Sequence, residues 1–390
     1  MGFNFSSEAF FDNHTHLLFQ DKLVITCDEL AVNYYHGIRD EVGPDGRERP
    51  SPTAVSHLPY LSVVMTLVHL MAERFELEPT LEAVVAFRNS QTKTPLALAE
   101  YTKMLYEDQN ITGCMLDSEH PMGDLRTLCF PCKLYRLYQY ENVFFELLKK
   151  EERFDELLRK LHDAIKTAAT EGFAGLKGHI GEKCGMDVRE VSAAEAQAIL
   201  PKARNGDKEA VRTIYYAMFS HLLEWCSEAD LPLHLHTGTT GFKKRTDVYS
   251  IDPILMAPFL KNPRYLKSKI FLLHGSFPFT RNAAIMAYNF PNVYLDLSQT
   301  LPWQSMAFSS ILEDALSITP HDKILLGTGQ HWYTEMAWVA ARIAKSSLAY
   351  VMNRLVEQNL LSSKQATQSA LMILSQNALR VYNKEVFSTN

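Results

Sequence analysis

The chain has 390 residues, which exceeds the usual length of one domain but suits an α/β barrel of about 250 residues with insertions. Its composition, 46% hydrophobic and 22% charged, is that of a globular protein and excludes the disordered and fibrous classes. The formal net charge of −6 gives no basic footprint for nucleic acid or for an anionic membrane surface, so we expect a small-molecule substrate.

Cysteine content and hydropathy bear on the compartment. Six cysteines in so long a chain are too few for a disulfide framework and fit a reducing environment. Cys129 and Cys132 form a CxxC pair, but no second pair or nearby histidine completes a zinc site, so we interpret them as ordinary thiols. No uncharged stretch of 18 apolar residues predicts a membrane span. We therefore expect a cytoplasmic protein.

The amino-terminal part is predicted to hold one strand followed by a helical insertion. The first strand leads into DNHTHLL at 12–18, and GPDGRERPSP at 43–52 is predicted to be a loop. From about 53 to 112, stretches such as SVVMTLVHLMAERF and TPLALAEYTKMLYED have apolar residues at helical spacing. This spacing predicts a helical insertion after the first strand.

After the insertion, short apolar runs alternate with long amphipathic segments, as in the repeated βα units of a parallel sheet. Seven further strands are predicted, at 114–118, 133–141, 173–180, 231–238, 269–276, 293–298 and 323–329. Crossover helices are predicted at 154–172, 210–229 and 305–318, and two more at 338–358 and 364–382 are expected to close or cover the barrel. Eight strands without a GxGxxG turn favour one (β/α)8 TIM-barrel domain over 1–390 with extra carboxyl-terminal helices.

Histidines gather at the predicted carboxyl ends of the strands. Because side chains alternate along a strand, His14 and His16 share a face, as do His234 and His236 in LHLHTG. His274 lies near the end of the sixth strand, in LLHG. Active sites of such barrels lie at this face, and imidazole nitrogens suit zinc and other first-row divalent ions. The combination predicts a metal site.

These motifs, in this order, resemble the amidohydrolase superfamily, and particularly its amidohydrolase-2 branch, which includes FluG-like proteins and relatives of aminocarboxymuconate decarboxylase. The resemblance runs from about residue 12 to 383. It implies that His14, His16 and His236 bind a divalent metal, zinc or alternatively manganese. It also implies that His274 is a further ligand, or the residue that polarises water or substrate.

The resemblance extends to the third and fourth strands. Lys177 matches a lysine that some members carbamylate to bridge two metals, although a substrate-binding cation and a buried, paired residue remain open. His179 and, more weakly, Lys183 are implied to contact substrate. Arg136 and Glu141 resemble an arginine and an acid on the third strand of this branch. Arg136 is expected to bind substrate, and a structural ion pair between the two residues is the alternative.

The eighth strand departs from the family pattern. In the family it ends in an aspartate that binds metal and takes a proton from water, whereas Gly329 stands at the matching position in ILLGTGQHWYTEMAW. Glycine has no side chain for this role. An engineered change, replacement by His331 or Glu335, and natural drift all remain open. His331 can face the site only if the loop turns back, so we expect an exposed or loop-packed histidine.

Two aspartates are expected to support the site. Asp296, at the end of the seventh strand, is predicted to orient a ligand histidine. Asp117, at the end of the second, is expected to do the same or to cap a turn.

Three functions fit these features. The first is a metal-dependent hydrolase that uses metal-activated water on a small amide, ester or lactone-like bond. The second is a decarboxylase or carbon–carbon lyase of the same branch. The third, suggested by Gly329, is a non-catalytic pseudoenzyme or binding module. The expected partners are a small-molecule substrate and, since such barrels commonly dimerise, a second copy of the chain.

Overall fold

Eight parallel strands form the centre of the fold. The computed structural model describes residues 2–18, 21–34, 41–43, 48–118, 130–238 and 247–382. Each barrel strand pairs in parallel with the next one along the chain. The strands are β1 (Phe10–Thr15), β2 (Ile111–Asp117), β3 (Lys133–Tyr138), β4 (Gly175–Gly178), β5 (Leu233–Leu235), β6 (Ile270–Leu272), β7 (Val293–Asp296) and β8 (Ile324–Leu325).

Backbone hydrogen bonds between the first and last strands close this sheet into a barrel. The Asn13 amide donates to the Leu326 carbonyl at 2.9 Å, and the Gly329 amide donates to the His14 carbonyl at 2.7 Å. Closure by sequential parallel strands is the arrangement of a (β/α)8 barrel. The predicted fold class is therefore confirmed.

Helices surround the barrel because amphipathic segments connect successive parallel strands. Several begin where a side chain satisfies the first free amides, as at Thr94, whose hydroxyl accepts from the Ala97 amide at 3.1 Å. The longer helices are Cys27–Asn33, Pro52–His57, Ser62–Phe75, Leu81–Gln91, Pro95–Asp108, Tyr140–Lys150, Phe154–Thr170, Ala193–Arg204, Lys208–Glu228, Thr280–Asn289, Phe308–Ile318, Glu335–Glu357, Ser363–Leu371 and Asn377–Tyr382.

The helical insertion lies between β1 and β2, as predicted, and its four helices span 52 to 108. Arg88 anchors it to the first residue of the helix that follows β8, through a fully buried ion pair with Glu335 at 3.2 Å. The same guanidinium donates to the carbonyls of Lys22 and Leu23 after β1. One side chain therefore joins the insertion to both segments that border the mouth of the barrel.

An aromatic cluster lies inside the barrel below the strand ends. Phe11, Tyr135, Phe271 and Tyr382 form a ring-packed cluster, with centroids 5.4 to 6.1 Å apart between the contacting pairs. Tyr382 comes from the last described helix, so a carboxyl-terminal helix fills this part of the barrel, as the sequence predicted.

Some element boundaries differ from the predictions. The strand predicted at 133–141 stops at 138 because Tyr140 begins a helix whose apolar face packs on the core. Helices Ala193–Arg204 and Thr280–Asn289 were not predicted. The predicted loop at 43–52 overlaps a two-stranded hairpin, Glu41–Val42 with Glu48–Arg49, and residues 44–47 of that loop lie outside the described residues, as does Cys129.

A search of the described residues for membrane-spanning helices finds no single helix that is long and apolar enough. Two helical segments, Pro52–Tyr60 and Ser62–Phe75, have that length and apolar composition only when taken together, and they are bent by 50° at their junction.

Candidate metal centre

Four histidines meet at the carboxyl ends of β1, β5 and β6. The ring centroid of His14 lies 4.8 Å from that of His16 and 4.8 Å from that of His274, and His236 lies 4.5 Å from His274. All four are buried, at most 8% exposed. We call these residues the histidine cluster. The structure thus brings together the four histidines that the sequence singled out.

Two further histidines extend the cluster at its ends. His331 stacks on His16 with centroids 3.6 Å apart, so the loop after β8 does turn back toward the strand ends. His331 is therefore a half-buried loop residue that packs against the cluster. On the opposite side His179 lies 5.4 Å from His236, and its Nδ1 is 3.2 Å from the Glu141 carboxylate.

Asp117 belongs to the centre of the site. One ligand atom from each of Asp117, His14 and His16 can be chosen so that all three lie within 4.8 Å of one another. The Lys177 amine donates to Asp117 at 2.7 Å, and both side chains are buried. Burial alone raises the pKa of Asp117, but the charges of Lys177 and His16 outweigh it and hold the pKa well below its usual range. Asp117 is therefore an anion at neutral pH.

Three imidazoles of the cluster, those of His14, His236 and His274, are neutral at neutral pH. Burial, followed by the charge of Lys177, lowers the pKa of His14 well below its usual value. Burial, followed by neighbouring imidazoles, does the same for His236 and His274. Within the described part of the chain, both ring nitrogens of His14 and Nε2 of His274 are buried without a hydrogen-bond partner. Neutral imidazoles with unused lone pairs beside a carboxylate are a fitting donor set for a divalent cation.

A layer of polar residues supports the cluster from below. The Asp12 carboxylate accepts from the Thr328 amide at 2.7 Å and from its hydroxyl at 2.5 Å, which ties β1 to the segment after β8. Burial raises the pKa of Asp12 to about 7. Asp12 was missed by the sequence analysis, although it precedes His14 and His16 at the same two-residue spacing.

Asp296 orients the His274 side chain through Ser298. Its carboxylate accepts from the Asn13 amide group at 2.6 Å and from the Ser298 backbone amide at 2.7 Å. The Ser298 hydroxyl in turn lies 3.1 Å from Nδ1 of His274. Asp296 therefore fixes the turn that positions His274, which is an indirect form of the predicted orienting role.

Backbone strain concentrates at the same face of the barrel. His274, Gly275 and Ser276 have φ values of 66°, 56° and 51°, and Gln299 has a φ of 56°. Gly329 is also left-handed, at 59°. Residues other than glycine that are held in the left-handed region cost free energy, and they cluster at functional sites. The strained turns after β6, β7 and β8 thus mark this end of the barrel as functional.

Gln299 fills the space beside Gly329. A Cβ atom built on Gly329 would lie 2.1 Å from Cγ of Gln299, which is far inside van der Waals contact. The carboxylate that the sequence led us to expect at 329 is therefore replaced by the side chain of another residue. The departure from the family pattern involves two positions, Gly329 and Gln299.

Comparison with known proteins agrees with this geometry. The sequence pattern of the amidohydrolase family matches residues 155–384, more than half of the chain. The chain belongs to the amidohydrolase family. This amidohydrolase is 29% identical over 242 residues to protein fluG of Emericella nidulans (strain FGSC A4), a match that covers 56% of the chain and only 26% of fluG.

Solved structures of other proteins share the fold of this amidohydrolase. A protein provisionally assigned as a metal-dependent hydrolase from Lactobacillus casei ATCC 334 superposes with a TM-score of 0.82 at 20% identity, covering 100% of both chains. Uronate isomerase from Thermotoga maritima superposes with a TM-score of 0.67 at 15% identity, covering 96% of this chain and 94% of its own. At these identities the likeness establishes the barrel architecture alone.

Other predicted site residues of this amidohydrolase lie away from the cluster. Arg136 donates to the Glu171 carbonyl at 2.7 Å and lies 4.4 Å over the Phe173 ring, because it occupies the outward face of β3. Its prediction as a substrate contact is corrected, as is its alternative ion pair with Glu141. Glu335 pairs with Arg88 instead of replacing the missing aspartate.

The remaining predictions divide in the same way. The Glu141 carboxylate accepts from the Tyr215 hydroxyl at 2.5 Å and holds His179, so it supports the edge of the site. Lys183 points toward Phe145, with its amine 5.9 Å from the ring centroid. His234 lies deeper, where its Nε2 is 3.1 Å from the Tyr382 hydroxyl.

One carboxylate that the sequence analysis passed over faces the cluster. Glu182 Oε1 lies 3.4 Å from Nε2 of His236, and the Glu182 side chain is 30% exposed. It belongs to the one-turn helix Ile180–Lys183, which follows β4 directly. The only signal in the sequence was its place in GLKGHIGEKCG, between two residues that had been considered.

Proposed function

We propose that this amidohydrolase is a metal-dependent hydrolase that adds water across an amide, ester or lactone-like bond of a small molecule. The observation that carries the proposal is the group formed by His14, His16 and Asp117, whose ligand atoms lie within 4.8 Å of one another beside His236 and His274. This group lies at the carboxyl ends of the barrel strands, which is where proteins of this fold have their active sites.

His14, His16 and Asp117 would hold the ion. His274 lies between His14 and His236 and contacts both rings. A first-row divalent ion, zinc or alternatively manganese, lowers the pKa of water and polarises a substrate carbonyl when it is bound. Lys177 remains an amine in this proposal, because a carbamate there would set a second anion against Asp117 at 2.7 Å. Its charge instead balances that carboxylate.

Glu182 is the group to which we assign the proton that water loses. Of the carboxylates that the described residues bring near the cluster, Asp117 is held by Lys177 and Gln139. Glu141 is held by Tyr215. Glu182 instead faces His236 and reaches solvent, which a proton-accepting carboxylate needs.

The proposal is tested by assaying the purified chain on amides, esters and lactones after metal removal and after readdition of zinc or manganese. We expect release of the hydrolysis products only in the metal-loaded protein. Glu182→Gln should lower the rate by a factor of about 10² to 10⁴, as for loss of a general base, without changing metal content. The exposed Glu146→Gln is the matched control. Release of carbon dioxide from carboxylated substrates, without hydrolysis, would favour a lyase instead.

Gly329 favours a second candidate, a module that binds a small molecule without turnover. The strand-eight position has no side chain for proton transfer, and Gln299 occupies its space. Tight binding of a substrate-like molecule by the metal-loaded chain, with no product from any of the three substrate classes, would support this candidate over the hydrolase.

A further inference from the structure

Gln299 is a buried polar residue whose conformation costs free energy. It follows β7, is 4% exposed, and has a φ of 56°. A non-glycine residue with left-handed backbone costs about 1 to 3 kcal/mol and persists where its surroundings demand it. The site thus holds a buried amide group in a strained turn.

The position of that amide is set by Gly329 and His331. Cγ of Gln299 takes the place where a side chain at 329 would begin, with only 2.1 Å to an added Cβ. Nε2 of Gln299 lies 3.5 Å from Nε2 of His331, whose ring stacks on His16. The amide of Gln299 therefore lies beside His331, next to the histidine cluster on the side of β8.

The oxygen of that amide is a buried acceptor without a hydrogen bond in the described part of the chain. Among the residues that the structure describes, Oε1 of Gln299 has no hydrogen-bond donor although it is buried, which costs about 1 to 3 kcal/mol for a carbonyl of this kind. Nitrogen atoms of His14 and His274 have none either. A hydroxyl or amine could satisfy one of these atoms, whereas a single cation can accept electron pairs from several at once.

We propose that Gln299 supplies the oxygen ligand of the metal site on the side of β8, in the space that Gly329 leaves open. The inference rests on the proposed metal-dependent function and adds the residue that completes the donor set. Because an amide is neutral, the set of His14, His16, Asp117 and Gln299 carries one negative charge. A carboxylate at the same place would make it two and would bind a divalent ion more tightly.

The test measures the affinity for Zn²⁺ alone, by competition with a chromophoric chelator, in the full chain and three variants. Gln299→Glu keeps the shape and adds a charge, and Gln299→Met keeps the length and removes the oxygen. Gln304→Glu adds the same charge five residues later in a half-buried turn and serves as the control. Thermal unfolding of each protein in chelator checks that the fold is intact.

We expect Gln299→Glu to bind Zn²⁺ at least about 10-fold more tightly and Gln299→Met at least about 10-fold more weakly, the size of effect seen for residues that complete a metal site. Gln304→Glu should stay within about 3-fold, since a charge that is outside the donor set and partly open to solvent contributes little. If both Gln299 variants bind as the unchanged chain does, Gln299 is only structural and this inference fails while the metal site stands. If the unchanged chain binds no Zn²⁺, the inference and the proposed function fail together.

Discussion

Restoring an aspartate at position 329 is the obvious way to repair the site, and the structure predicts that it fails on its own. The new Cβ would lie 2.1 Å from Cγ of Gln299 and 3.1 Å from its Cα. The backbone at 329 also has a φ of 59°, which side chains rarely adopt. Gly329→Asp should therefore destabilise the fold.

The two effects can be estimated separately. Left-handed backbone at a residue other than glycine costs about 1 to 2 kcal/mol, with aspartate at the lower end. Forcing a side chain into an occupied volume costs about 1 to 3 kcal/mol more. Gly206→Asp isolates the first effect, because Gly206 has a φ of 85° and nothing within 4 Å of an added Cβ. Gln299→Gly combined with Gly329→Asp removes the second effect.

Equilibrium urea denaturation in chelator, followed by far-ultraviolet circular dichroism, measures these free energies of unfolding. We expect Gly329→Asp to lose about 2 to 5 kcal/mol, Gly206→Asp about 1, and the double variant to recover about 1 to 3 relative to Gly329→Asp. If Gly329→Asp is as stable as the unchanged chain within about 0.5 kcal/mol, the reasoning from the shared volume of Gln299 and Gly329 is refuted.

Two further predictions concern buried charges. Arg88→Met leaves the Glu335 carboxylate buried without its partner, so the free energy of unfolding should fall by about 3 to 5 kcal/mol. Arg281→Met, in an exposed pair, is the control, and equal losses in both variants would contradict this account. Burial lowers the pKa of Lys345 to about 8 from 10.5, so between these pH values the unfolded chain binds more protons than the native one and stability rises with pH. In the unchanged chain the free energy of unfolding should rise by up to about 3 kcal/mol between pH 8 and 10.5, and in Lys345→Met this rise should be absent. Denaturation at several pH values measures it, and the same dependence of stability on pH in both proteins would contradict the prediction.

The barrel could be predicted because its signal is repeated. Eight apolar runs separated by amphipathic segments specify sequential parallel strands, and the histidines at their ends fall at one face by the geometry of the fold. Helix Tyr140–Lys150 was not predicted because the sequence pattern places its first two residues, Tyr140 and Glu141, at the end of the tyrosine-rich strand β3. Boundaries of this kind depend on where packing ends a strand, which a local pattern does not contain.

Only the site residues that lie at the ends of strands could be predicted from the sequence. His14, His16, His236 and His274 were found because each lies in the last residues of a strand or within two residues after it. Glu182 and Gln299 were missed since their places depend on the turns after β4 and β7, and a glutamine in a loop carries no chemical signature. Arg136 was misplaced by motif similarity, where the alternation of side chains along β3 sends it outward.

The most direct test of the central claim is the metal content of the chain purified without chelators, measured by elemental analysis beside His14→Ala and the exposed His69→Ala. The account predicts near-stoichiometric zinc or manganese in the unchanged chain and in His69→Ala, and its loss in a folded His14→Ala. A metal-free unchanged chain that also fails to take up either ion on addition, or equal metal in all three proteins, would contradict the assignment of the histidine cluster as a metal centre.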